Sequence, residues 1–157
     1  MTSRRSRSRK LSAASSSARR LESAVFYLDE SIYSRLLAQA LEQAGVQVRR
    51  PGVDVPFGAT DEDWLTRAGE EDWIPLLRDQ RIRLRPLEHA SLLRAGVGAF
   101  VVTAGQATAQ QVTDLVLRRL SKMVNIWVSE RKPFIYSLSL GGTLTRLPMQ
   151  RRARYRD

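Results

Sequence analysis

Three groups of carboxylates stand where an enzyme would use them. Asp29 and Glu30 directly follow the apolar run Ala24-Val25-Phe26-Tyr27-Leu28. Asp61, Glu62 and Asp63 follow Thr60, and Asp79 closes the run Trp73 to Arg78. Clustered carboxylates repel and raise one another's pKa. A bound divalent ion removes that penalty, activates water and neutralises charge developing on a phosphate. The chain has no cysteine and a single histidine, His89. Disulfides, thiolate zinc sites, His-rich metal sites and most Ser-His or Cys-His triads are therefore excluded. Hydrolytic chemistry must rest on carboxylates, a metal ion, or both. Hard oxygen donors without histidine suit Mg²⁺ or Mn²⁺ better than zinc.

Each group also has an ordinary reading. Asp61 to Asp63 can simply complement the positive end of a helix. Asp79 can pair with Arg78, Arg81 or Arg83 on the surface. Asp29-Glu30 is harder to dismiss, because a charged pair directly after a buried strand is less common. Arg78, Arg81, Arg83 and Arg85 alternate around the third acid. They can position phosphates in bidentate geometry, or balance nearby acids. Trp64 and Trp73 can stack a base, but their positions favour the core. His89 reads as structural or exposed. Gly141-Gly142 is a turn signal, and no Gly-x-x-x-x-Gly-Lys motif is present, which argues against an ATPase.

The elements that must carry these residues alternate. Ala24 to Leu28 predicts a strand buried on both faces, as in a parallel sheet. Ile32, Leu36, Leu37, Ala40 and Leu41 recur at helical spacing, and Gly45 stops that helix. Val46 to Val48 is a short second strand, and 51–58 is a loop rich in proline and glycine. Thr60 caps a second helix whose Trp64, Leu65 and Ala68 face inward. Trp73 to Leu77 is a third strand, in which Pro75 is awkward for a central position. Pro86 opens a third helix, Ala99 to Val102 is a fourth strand, and a long helix runs from about 108 to 124. Phe134 to Leu140 and Thr143 to Leu147 form a hairpin. This order predicts one α/β domain with a mostly parallel sheet and helices on both faces. Ligands in such sheets sit beyond the carboxyl ends of the strands, which is where Asp29 and Asp79 fall. A Rossmann-like site for a small phosphorylated ligand lacks its Gly-rich turn after the first strand.

The formal charge of +10 is carried by the two ends. Residues 1–20 hold seven basic residues and no acid, and residues 146–157 hold five arginines and one acid. The remaining 14 basic and 15 acidic residues leave the body at −1. Basic ends favour polyanions without sequence preference; equally, they are solvated tails. We expect a disordered basic tail over 1–22, a domain over 23–148 and a basic tail over 149–157. No apolar run reaches the roughly 18 residues of a membrane span, and no secretory signal is visible. The expected compartment is the cytoplasm.

Leu28-Asp29-Glu30-Ser31, Thr60-Asp61-Glu62-Asp63-Trp64-Leu65 and Leu77-Arg78-Asp79-Gln80-Arg81-Ile82, in this order, resemble the PIN-like nuclease superfamily. Within it the chain is most similar to small proteins that include VapC-type toxins of bacterial toxin–antitoxin pairs. The similarity spans about Val25 to Leu147. It implies a three-layer PIN-like fold with a C-terminal hairpin, and a Mg²⁺- or Mn²⁺-dependent endoribonuclease. By the resemblance Asp29, Asp61 and Asp79 are the catalytic and metal-holding acids, with Glu30 and Asp63 as helpers. RNA would be contacted by Arg78, Arg81 and Arg83. A protein antitoxin is an implied partner, and homodimers are frequent in the family. Two features depart from the pattern: Leu77 stands where Thr or Ser commonly precedes Arg-Asp, and the fourth strand runs into Thr103 where a fourth acid is typical. A decayed scaffold that binds nucleic acid or a partner without turnover is the alternative.

Overall fold

The computed structural model describes residues 18–78, 91–92 and 94–149. Six strands form one sheet in the order β2-β1-β3-β4-β5-β6: β1 (Val25–Leu28), β2 (Gln47–Arg49), β3 (Ile74–Arg78), β4 (Gly98–Val102), β5 (Phe134–Leu138) and β6 (Leu144–Arg146). All neighbours are parallel except β5 and β6, which form the expected antiparallel hairpin. The helices are α1 (Arg35–Gln43), α2 (Asp61–Glu70) and α3 (Ala109–Ser129), with further helical residues at 91–92 and 94–95.

Side-chain alternation sorts the core into two layers. Phe26 and Leu28 of β1, Ile74 and Leu76 of β3, and Phe100 and Val102 of β4 pack against α1 and α3. Tyr27, Ala99, Val101 and Ile135 pack on the other face against Trp64, Leu65 and Ala68 of α2 and against Leu92. Both faces are covered, which is why the parallel strands read as continuous apolar runs.

The element ends follow local chemistry. Ser34 accepts from the Leu37 N–H at 3.1 Å and starts α1, three residues later than the apolar spacing suggested. Ile32 instead sits in a turn closed by its N–H on the Asp29 carbonyl at 3.0 Å. Leu36, expected inside, is 41% exposed. Gly45 ends the helix with φ +102, a conformation that favours glycine. Thr60 caps α2, accepting from the Asp63 N–H at 3.2 Å. Thr108 and Gln111 form a capping box at the start of α3, which runs to residue 129, five residues past the expected end. Pro75 is accommodated because pairing of β3 with β4 begins only at Leu76. The end of the expected basic tail is helical at 18–23, with Leu21 against the core and Arg20 donating to Asn125 at 2.9 Å. Most of the third helix expected from Pro86, together with His89, lies outside the described residues.

The strand order reverses at β1. β2 lies on one side of it and β3 on the other, so connections leave in opposite directions. A crevice at the carboxyl edge between β1 and β3 is the place where such sheets bind ligands.

Candidate functional site

Asp29 sits at that crevice, directly past β1. Its N–H continues the ladder to the Leu76 carbonyl at 3.1 Å. Its carbonyl accepts from the N–H groups of Ile32 and Tyr33 at 3.0 and 2.9 Å, which turns the chain sharply toward α1. Its carboxylate Oδ2 accepts from the Ser31 N–H at 3.0 Å and the Ser31 hydroxyl at 2.5 Å. The same hydroxyl accepts from the Arg78 N–H at 3.0 Å. Ser31 therefore ties the exit of β1 to the exit of β3 while orienting the acid. Glu30, beside it, is exposed.

Asp61 reaches the same region from the first turn of α2. Trp64, buried one turn on, donates its indole N–H to Asp61 Oδ1 at 3.0 Å. The Trp64 ring lies 5.0 Å from that of Tyr27, and Tyr27 stands two residues before Asp29 in β1. Tyr27 also stacks on Trp73 at 5.7 Å with 15° between planes, and Arg67 covers Trp73 at 5.1 Å. Asp29 and Asp61, 32 residues apart in sequence, are thus linked by a buried aromatic floor. The electrostatics agree. Burial, then the charges of Asp29, Glu30 and Asp61, holds the Tyr27 hydroxyl protonated far above an ordinary tyrosine.

The other expected residues divide. Glu62 and Asp63 lie on the exposed first turn of α2, where Asp63 serves the cap. Trp64 and Trp73 are core residues at 4% and 2% exposure, so neither offers a face to a base. Arg78, expected to contact RNA, turns its Nη2 to the carbonyls of Ala104, Gly105 and Ala107 at 2.9, 2.9 and 2.7 Å. It braces the loop after β4 instead. Thr103, in the place of a fourth acid, sends its N–H to the Leu138 carbonyl at 3.0 Å. Asp79, Arg81, Arg83 and Arg85 lie outside the described residues. Among the described residues no group of three or more His, Cys, Asp or Glu side chains is placed to hold a metal ion. The described pair is Asp29 and Asp61, with Glu30 adjacent. An open groove of about 370 Å³ runs beside α2, lined by Glu62, Thr66, Glu70 and Arg94. Neither Asp29 nor Asp61 lines it.

Sequence reasoning overlooked two residues. The Tyr27 hydroxyl was legible from alternation, since it must share a face with Asp29. Ser31, two residues after an aspartate, carries the signature of a side chain closing on a local turn.

No described helix is long and apolar enough to cross a membrane. A family model described as a PIN like domain matches residues 24–104. No curated protein matches the chain, and no solved structure does. The matched span covers 81 of the 157 residues. It runs from the residue before β1 to the loop that Arg78 braces, and so takes in Asp29, Asp61 and both sides of the crevice. The chain belongs to the PIN-like domain family.

Proposed function

We propose that this protein is a metal-dependent endoribonuclease whose site is the acidic carboxyl edge between β1 and β3. The observation that carries the reading is that Asp61 is held by the Trp64 ring packed against Tyr27, two residues before Asp29, within a chain of the PIN-like family. The donor chemistry fits Mg²⁺ or Mn²⁺, because every candidate ligand is a carboxylate oxygen. Asp29, Asp61 and Asp79 would hold the ion, with Glu30 beside them. When bound, it would supply a water of lowered pKa and offset negative charge on the scissile phosphate.

The protein's own residues do the positioning. Ser31 fixes one oxygen of Asp29. The Trp64 indole fixes one oxygen of Asp61 in the same way. Tyr27 keeps its proton, so it adds a neutral hydroxyl among the acids rather than another charge. The aromatic floor excludes water from beneath, which strengthens electrostatic interactions at the edge. Arg81 and Arg83, next to Asp79 in sequence, are the arginines left to position phosphate.

RNA is the proposed substrate and the cytoplasm the proposed compartment. In the toxin reading a protein antitoxin would cover this edge, because an uncovered nuclease harms its host; a homodimer is compatible with either. A second reading, a binding protein without turnover, draws on Thr103 in place of a fourth acid. The test uses a pool of single-stranded and structured RNA with purified full-length protein in Mn²⁺, Mg²⁺ or EDTA. Cleavage that needs metal and disappears in Asp29→Asn supports the nuclease. Folded protein that binds RNA in a salt-sensitive manner but never cuts it supports the second reading.

A further inference from the structure

We propose that Lys132 is an acylation site, taking an acyl group from an activated donor (a thioester or an acyl phosphate) at the edge of the sheet opposite the acids. The inference stands apart from the nuclease reading. β3, β4 and β5 run parallel and begin at that edge. Asp72, Gly96 and Lys132 each stand two residues before one of these strands. Their approaches line a cleft of about 20 Å³, with Trp127, from the last turn of α3, as a further wall. That is room for about one water beside the amine.

The Lys132 ammonium lies 3.4 Å from the centre of the Trp127 ring. The ring attracts the cation, but it also keeps water from one side of it. Burial lowers the pKa of Lys132 below that of an ordinary lysine, and the charge of Asp72 opposes the shift. Asp72 is the other charged residue among those described that line the cleft. A lysine so placed holds more free amine near neutral pH, and the free amine is the form that attacks a carbonyl.

The cleft can also take the product. Gly69, Gly96 and Gly98 line it without side chains, and a Cβ on Gly96 would meet nothing within 4 Å. The Trp127 indole Nε1 is buried and has no hydrogen-bond partner among the described residues. An acylated Lys132 carries a carbonyl oxygen, the kind of acceptor this donor lacks. In the reaction the Nζ lone pair forms a C–N bond to the acyl carbon. The C–S bond of a thioester, or the C–O bond of an acyl phosphate, breaks. The thiolate or phosphate leaves with that bond's electrons, and the amine's proton passes to water. The product is a neutral amide, so the local cation is lost.

Of the 26 basic residues only Lys10, Lys122 and Lys132 are lysines. Arginine stays protonated and does not compete. Lys122 is exposed on α3 and serves as an internal standard.

The test incubates the full chain with acetyl-coenzyme A or with acetyl phosphate between about pH 7 and pH 10, and follows each lysine by peptide mass spectrometry. Lys132 is expected to acylate faster than Lys122 near neutral pH, with its rate profile displaced to lower pH. In the urea-unfolded chain the two rates should converge. Asp72→Asn removes the charge that opposes the shift, and asparagine tolerates the positive φ of 56 at that position. It should displace the Lys132 profile to still lower pH and leave Lys122 unchanged. Lys132→Arg should abolish the fast phase alone. This pattern with either donor supports the proposal, and a difference between the donors names its source. A Lys132 no faster than Lys122 in the folded chain, a preference that persists after unfolding, or a profile indifferent to Asp72→Asn overturns it.

Discussion

Replacing Ser31 by alanine should loosen the site and lower the melting temperature together. The hydroxyl donates to Asp29 Oδ2 at 2.5 Å and accepts from the Arg78 N–H at 3.0 Å. A hydrogen bond to a charged group contributes about 1.5–3 kcal/mol and a neutral one about 0.5–1.5. Ser31 is exposed, so water replaces part of what is lost, and a total near the low end, about 1–2 kcal/mol, is expected. For a domain of this size that lowers the melting temperature by about 3–7 °C. The Asp29 carboxylate keeps its bond to the Ser31 N–H but loses the link that ties it to β3. Thermal melts by circular dichroism should show the shift, and Ser31→Thr, which keeps a hydroxyl, should recover most of it. Under the nuclease reading, metal-dependent cleavage should fall in Ser31→Ala and return in Ser31→Thr. A Ser31→Ala protein with wild-type melting and wild-type cleavage would refute the idea that this hydroxyl joins the two strand exits and orients the acid.

Arg78→Ala should destabilise the fold by about 1–3 kcal/mol, because it removes the Nη2 donor that holds the carbonyls of Ala104, Gly105 and Ala107; proteolysis at 104–107 should accelerate in a limited digest. Gly98→Ala should cost about 1–3 kcal/mol by overpacking, since a Cβ there would meet the Phe134 ring at 2.3 Å, and urea denaturation reads it directly. The Tyr136 hydroxyl donates to Glu130 at 2.6 Å. That bond first, then burial and the charge of Glu130, raises its pKa, while Arg146 opposes the shift. A pKa raised on folding stabilises fully below the unfolded value of about 10 and is lost as pH climbs through the folded value. The stability gap between wild type and Tyr136→Phe should therefore be constant up to about pH 9 and shrink above pH 10; a gap that widens with rising pH would contradict the assignment.

Much of this architecture can be read in the sequence because it depends on local signals. The runs ending at Leu28, Leu77 and Val102 are apolar on both faces, and that pattern alone requires a covered parallel sheet. Gly141-Gly142 marks the hairpin, and Thr60 and Thr108 mark helix starts. The start of α1 was less legible, because Ile32 is apolar for a tertiary reason: it is buried beneath the turn that redirects the chain after Asp29. Asp29 and Asp61 are identifiable as candidates from their strand-end and helix-start positions. What connects them is not. The Trp64 indole on Asp61 and the Tyr27 ring beside it exist only once α2 packs on β1. Arg78 shows the opposite case. Its neighbours in sequence suggest a phosphate ligand, whereas its contacts are carbonyls about 30 residues away in the chain. Long-range pairing of that kind leaves no local pattern.

The central claim is that acids delivered by β1 and α2 form one cation site. The most direct test is a Mn²⁺ titration followed by the paramagnetic resonance of the free ion, on wild type, Asp29→Asn and Asp61→Asn. One ion per chain in wild type, with affinity lowered by each substitution while both variants stay folded, is the predicted result. Wild type that takes up no Mn²⁺, or an affinity untouched by both substitutions, would contradict the account.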